Sequence, residues 1–190
     1  TTDANGRYAT GPLEAGTYRV RFERAGFYNH TRTEEATQDR TRRVTLERGT
    51  VALTVAVSDP HFEPPRPVAN ATVNGSGLGS VRTDDGGTAV LDAPVNSQVE
   101  VAVEKEGYRS TTRSLAVGEA ARRANVSVGR APNLTLVATN SRVVVGESVL
   151  VEVRDAYDDP AGNVTVLRNG DPVGTTDGAG ELAVPVGTAG

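Results

Sequence analysis

Apolar and polar residues alternate in short runs along the chain. Tyr18, Val20 and Phe22 alternate with Arg19, Arg21 and Glu23, and Val99, Val101 and Val103 alternate with Glu100, Ala102 and Glu104. Val149, Val151 and Val153 do the same with Leu150, Glu152 and Arg154. A period of two puts one set of side chains on a buried face and the other on a wetter one, the pattern of an antiparallel sheet packed on one side. Turn-forming clusters separate the runs by about 8–12 residues, the spacing of a sandwich or barrel. Asn169-Gly170, between Val164–Leu167 and Val173, predicts a tight hairpin turn. No segment sustains a helical period, and residues 116–123 are expected to supply at most one helical turn. The proline-rich stretch from Asp59 to Pro67 cannot donate steadily to a ladder and is expected to form an exposed loop.

A repeat organises these runs. Thr2-Asp3-Ala4-Asn5-Gly6-Arg7-Tyr8, Thr83-Asp84-Asp85-Gly86-Gly87-Thr88-Ala89 and Thr176-Asp177-Gly178-Ala179-Gly180-Glu181-Leu182 all read Thr-Asp-x-x-Gly-x followed by an apolar residue. A shift of 81 lays Tyr18, Val20, Phe22, Glu23, Gly26 and Phe27 on Val99, Val101, Val103, Glu104, Gly107 and Tyr108 without a gap. The third copy keeps register to Ala189-Gly190, where the first has Ala15-Gly16. Repeats of this length imply a string of similar domains. The expected division is residues 1–48 as the C-terminal part of a β-sandwich, 49–130 as a complete β-sandwich, and 131–190 as a β-sandwich truncated at its C-terminal end. A partial domain at each end implies a window on a longer polypeptide. The joints Glu47-Arg48-Gly49-Thr50 and Gly129-Arg130-Ala131-Pro132 are short, which favours a stiff string.

Composition narrows the function classes. The chain has 190 residues, a net charge of −4 and 4% aromatic residues, with no Cys, Met or Trp. The acidic balance gives no reason to expect nucleic acid. Without cysteine there is no disulfide, thiol catalysis or cysteine-ligated zinc. No apolar run approaches the length of a membrane span, so no membrane contact is expected within this window. Lys105 is the only lysine among 20 basic residues. GC-rich genomes, haloarchaeal ones among them, produce that bias, so such an origin is expected.

Residues 2–27, with the Thr-Asp turn, then Leu13-Glu14-Ala15-Gly16-Thr17-Tyr18 and Ala25-Gly26-Phe27, resemble the carboxypeptidase regulatory-like family. The middle domain resembles it through Thr83-Asp84 and Glu106-Gly107-Tyr108, but lacks the Ala-Gly-Thr-Tyr step. Residues 133–190 are similar to bacterial immunoglobulin-like repeats of the invasin kind, through Val143-Val144-Val145-Gly146-Glu147 and the turn at 176–180. The resemblance implies an all-β fold of tandem immunoglobulin-like or transthyretin-like antiparallel sandwiches. It also implies secreted or surface proteins and carries no catalytic residues across. Such a fold hosts many unrelated roles, so it names none by itself.

Candidate chemistry is sparse. His30 and His61 are the only histidines and stand in no catalytic motif, so no catalytic residue is assigned. Asp3 with Asn5, Asp84 with Asp85, Asp177, and Asp158 and Asp159 with Asn163 lie in turns where oxygen ligands for calcium could gather, the last set near a domain joint. Asp and Asn also favour turns for local reasons, by bonding their own backbone and tolerating left-handed geometry. No other cofactor is implied. Six of the ten asparagines head Asn-x-Ser/Thr: Asn29, Asn70, Asn74, Asn125, Asn133 and Asn163. With 31 Ser and Thr in 190 positions, chance gives about two such sites, so glycosylation of exposed sequons outside the cell is expected. Phe27, Tyr28 and Tyr108 are expected to plug core edges, and Phe62 to project as an exposed contact. The mixed charges from Glu34 to Arg43 read as a solvated face.

The expected function is a non-catalytic structural or adhesive repeat segment at the cell surface, acting as spacer or interaction module. Its partners would be the neighbouring domains of the same chain and protein or glycan ligands. The alternative is an accessory module that positions a secreted hydrolase on its substrate.

Overall fold

The computed structural model describes residues 1–140 and 144–187. Val143, in the invasin-like motif, and Ala189-Gly190, in the repeat alignment, lie outside the described residues. The chain packs as two units, Thr1–Glu104 with Ser110–Ser127, and Lys105–Arg109 with Val128–Gly190. Every regular element among the described residues is a β-strand. The chain is all-β, built from open sheets that form sandwiches.

The first unit opens with β1 (Gly16–Phe22) and β2 (His30–Ala36), an antiparallel hairpin with Gly16 opposite Ala36 and Phe22 opposite His30. There follow β3 (Thr50–Asp59), β4 (Arg66–Pro67), β5 (Thr72–Gly75), β6 (Gly79–Arg82), β7 (Thr88–Pro94), β8 (Ser97–Glu104), β9 (Thr111–Val117) and β10 (Arg122–Ser127). One sheet has β3 at its centre, with β10 on one edge and β7 and then β4 on the other. The second runs β6-β5-β8-β9. Leu53, Val55, Val57, Leu91 and Val126 of the first sheet and Val73, Val99, Val101 and Val103 of the second are almost wholly buried. In β3, β5 and β8 alternation works as expected, apolar residues inward, whereas in β1 the expected buried set is not buried: Val20 is exposed and Tyr18 and Phe22 are half-buried. One pairing departs from the antiparallel expectation: β10 runs parallel to β3, so this sheet is mixed.

Residues 116–123 hold no helical turn. They comprise the end of β9, a bend at 119–120 and the start of β10, because the 122–127 stretch alternates with period two and is drawn into the sheet by β3. The proline-rich stretch is a loop only between its ends. Asp59 is the last residue of β3 and is buried, and Arg66-Pro67 pairs with β3. Pro67 can sit there because the pairing spans two residues and its missing N–H interrupts no longer ladder.

In the second unit β11 (Thr135–Ala138), β12 (Ser148–Arg154) and β15 (Glu181–Pro185) form one antiparallel sheet. The hairpin β13 (Thr165–Arg168) and β14 (Asp171–Thr175) forms another. Its turn is Asn169-Gly170, both with positive φ (56° and 96°), the geometry that makes Asn-Gly the favoured two-residue hairpin turn. Val151, Val153 and Val166 are the buried apolar side chains of these strands.

Candidate functional site

The Thr-Asp-x-x-Gly repeat turns out to be a clamp, and each residue has one task. The Thr83 hydroxyl accepts the Ala71 N–H at 2.9 Å and donates to the Val68 carbonyl at 2.7 Å. The Asp84 carboxylate accepts the Thr88 N–H at 2.8 Å, closing the turn. Gly87 has φ +71°, and an added Cβ would stand 2.5 Å from the Val57 carbonyl oxygen and 2.9 Å from the Val68 nitrogen. Only glycine allows that approach.

The second unit repeats the clamp 93 residues on. Thr176 accepts the Val164 N–H at 2.9 Å and donates to the Ala161 carbonyl at 2.7 Å. Asp177 caps the N–H groups of Ala179 and Glu181. Gly180, at φ +76°, would place a Cβ 2.5 Å from the Val153 carbonyl. Val57 and Val153 thus hold equivalent places, and the chain between Val153 and Ala161 is three residues shorter than that between Val57 and Val68. Asp3 makes the same turn at the N-terminus, capping Asn5 and Arg7. There Thr2 is exposed.

The turn aspartates are therefore occupied by their own backbone. Asp155, unremarked in the sequence, caps Tyr157 and Asp159 in a fourth such turn. Asp158 has φ +69°, and its carbonyl accepts Arg154 at 2.6 Å. Asn163 belongs to the next turn, its N–H on the Thr176 carbonyl. Among the described residues no three His, Asp or Glu side chains converge in a metal-sized group.

Five sequon asparagines, Asn70, Asn74, Asn125, Asn133 and Asn163, are exposed. Asn70 and Asn163 occupy the same place in the two clamps, with φ 55° and 58° and their N–H groups on the Thr83 and Thr176 carbonyls. Asn29 differs. It is half-buried, and its N–H donates to Glu119 at 2.6 Å. The same Glu119 oxygen accepts Asn96 Nδ2 at 2.7 Å, and Asn96 Nδ2 also donates to the Phe27 carbonyl. These bonds, that of Asn96 first, hold the Glu119 carboxyl below its ordinary range.

Phe27 and Tyr108 occupy matched corners. Arg24 stands 5.1 Å from the Phe27 ring centre and Lys105 5.2 Å from that of Tyr108. Gly49 N–H bonds the Gly26 carbonyl as Ala131 N–H bonds the Gly107 carbonyl. Phe27 bridges to Arg48 and Tyr108 to Arg130. Phe62 does not project as expected: it is half-buried, with Arg66 stacked 3.9 Å over its ring and His61 edge-on at 5.1 Å. The arginine stem and guanidinium cover the ring face that would otherwise meet water. His30 and His61 are both exposed, and the Arg32–Glu34 and Arg42–Glu34 pairs lie on the charged face.

Sequence reasoning also missed a cleft. In the second unit, Leu136, Val151, Val166, Val173, Val184 and Val186 line an open apolar cleft of about 390 Å³ between the sheet β11-β12-β15 and the hairpin β13-β14. Apart from Val186, just past the end of β15, these are ordinary strand residues, and nothing in their local pattern marks the gap.

No family model and no curated protein matches the chain. Among solved structures it is similar to the Bacillus anthracis TIE protein, with a TM-score of 0.38 and 18% identity over 96% of this chain and 36% of that one. The chain thus spans about a third of that structure's length, and the sandwich assignment stands on pairing and burial alone.

Proposed function

We propose that the chain is a non-catalytic repeat segment of a secreted or cell-surface protein, serving as a spacer or interaction module. The observation that carries the reading is the recurrence of one clamp and one corner. Thr83-Asp84-Gly87 and Thr176-Asp177-Gly180 make the same bonds, and the Phe27 and Tyr108 corners are closed by the same backbone pair. What recurs is scaffold geometry, which suits a load-bearing repeat more than a reaction centre. The five exposed sequons support an extracellular place and a glycoprotein. The arginine bias supports an archaeal origin, and the resemblance supports sandwiches of the carboxypeptidase regulatory-like and invasin-type kinds. Calcium at Asp158, Asp159 and Asn163 gains no support from geometry.

The test uses intact cells of the source organism. Brief protease treatment should release peptides of this segment, and mass spectrometry should find glycan on at least one of Asn70, Asn74, Asn125, Asn133 and Asn163. Recovery of the segment only after lysis, with all five asparagines unmodified, would overturn the reading.

A further inference from the structure

Three Asn-Gly dipeptides occur in the chain, Asn5-Gly6, Asn74-Gly75 and Asn169-Gly170, and the fold holds each one differently. In the first, Gly6 donates its N–H to the Asp3 carbonyl at 3.0 Å, and the Asn5 N–H is capped by the Asp3 carboxylate at 2.9 Å. In the second, Gly75 is buried on β5, opposite Gly79 on one side and Val101 on the other. A Cβ there would stand 3.1 Å from Leu78 and 3.2 Å from Leu91, so that backbone is tightly packed. In the third, both residues are exposed at the tip of the β13-β14 hairpin. Among the described residues the Gly170 N–H donates no hydrogen bond, and a Cβ on Gly170 would meet nothing within 4 Å.

The difference matters because an Asn-Gly pair can react with itself. The glycine nitrogen, on losing its proton to base, attacks the asparagine Cγ. The Cγ–Nδ2 bond breaks, ammonia leaves, and a five-membered succinimide closes. Water then opens the ring at one of two bonds. Cleavage of the new Cγ–N bond leaves aspartate. Cleavage between the nitrogen and the main-chain carbonyl carbon leaves isoaspartate, with the chain now routed through Cβ and Cγ. Neither path needs an oxidant or a reductant. Both need a glycine nitrogen open to water and a backbone free to rotate it onto Cγ, and glycine, without a Cβ, hinders that rotation least.

We propose that Asn169 is a site of spontaneous deamidation, the Asn-Gly pair that the fold leaves reactive, so that the β13-β14 turn carries a chemical record of the molecule's age. Rotation at the tip disturbs the two turn residues, and the ladder resumes at Arg168 opposite Asp171. The two products are unequal. Aspartate keeps the turn, since Asp-Gly favours the same two-residue geometry as Asn-Gly, and it adds one negative charge to the chain's −4. Isoaspartate inserts a methylene into the main chain, and a turn built on φ values of 56° and 96° has no place for it. Arg168, the first ladder residue beside the lesion, donates to the Pro185 carbonyl at 3.1 Å, so the damage lies next to a tie between the hairpin and β15. This inference does not depend on the surface-protein reading.

Ageing the purified, sugar-free chain at mildly alkaline pH, followed by peptide mass spectrometry, tests it. Trypsin places the three pairs in separate peptides, 1–7, 49–82 and 169–190, and each conversion adds about 1 Da. Peptide 169–190 holds no other side-chain amide, so its gain reports Asn169 alone; fragment ions separate Asn74 from Asn70. In the folded chain Asn169 should convert roughly tenfold or more faster than Asn5 or Asn74. Equal rates, or a lead for either of the other two, overturn the proposal. Ageing in guanidinium should bring the three rates together, because the dipeptide is then the same in each. A lead for Asn169 that survives there overturns it too, since sequence and not fold would then set the rate. Hydrogen exchange separates the products. The isoaspartate fraction should exchange its Arg168 and Asp171 amides faster, and Asn169→Asp should match the unaged chain. Unchanged exchange in the isoaspartate fraction overturns the claim that this product breaks the turn.

Discussion

Replacing Thr83 by Val keeps the side-chain shape and removes one oxygen, so its effect isolates the clamp. That oxygen serves two buried backbone groups, the Ala71 N–H at 2.9 Å and the Val68 carbonyl at 2.7 Å, and Thr83 is 3% exposed. A buried backbone group left without its partner costs about 1–3 kcal/mol. Two such groups give roughly 2–6 kcal/mol, and the added methyl returns about 0.8 kcal/mol. A net loss of about 3 kcal/mol follows, a large share of the 5–15 kcal/mol typical of a domain. The same motif supplies its own controls. Thr176→Val should cost a similar amount in the second unit, since Thr176 makes the same two bonds and is also 3% exposed. Thr2→Val should stay within about 0.5 kcal/mol, because Thr2 is exposed. The assay is guanidinium unfolding followed by far-ultraviolet circular dichroism, with the midpoint shift read at fixed slope. If Thr83→Val and Thr2→Val lose the same stability, the hydroxyl bridge is not what the motif is for.

The two glycine positions Gly77 and Gly87 separate backbone strain from contact. Both have φ near +73°, at +75° and +71°, but a Cβ at Gly77 meets nothing within 4 Å whereas one at Gly87 meets the Val57 oxygen at 2.5 Å. Gly77→Ala should cost about 1 kcal/mol. Gly87→Ala should cost about 3 kcal/mol or more, since it also displaces the Val57–Gly87 and Val68–Val57 hydrogen bonds; equal losses by the same unfolding assay would refute the close approach. For Glu119 the folded carboxyl is held below its ordinary value by Asn96 and then Asn29. The stability it lends is therefore present above the unfolded value of about 4.3 and is lost as pH falls through the folded one. The difference in thermal midpoint between the unmodified chain and Glu119→Gln should be largest near pH 7 and shrink below about pH 4. A difference that grows in acid would mean that the protonated form is the one being held.

The sequence makes the periodic part of this molecule legible and leaves the relational part hidden. Apolar alternation is a local property, so β1, β8 and β12 could be placed from residues two apart, and Asn169-Gly170 carries its φ requirement in its own two residues. The Thr-Asp-x-x-Gly repeat could be seen but not explained. Its hydroxyl reaches the backbone 12 and 15 residues upstream, and a clamp of that span depends on the intervening hairpin being in register. The parallel pairing of β10 on β3 and the covering of Phe62 by Arg66 are of the same kind, decided by which neighbour arrives. Strand partners are the sharpest instance. Thr72-Val73 and Thr165-Val166 are the same dipeptide at the same place in the repeat. Val73 and Val166 are both buried, at 0% and 8% exposure, so neither pattern nor burial says what each strand pairs with. β5 lies between β6 and β8, and among the described residues β13 pairs with β14. Pairing is decided by which neighbours the chain brings alongside, and no residue of the strand encodes that.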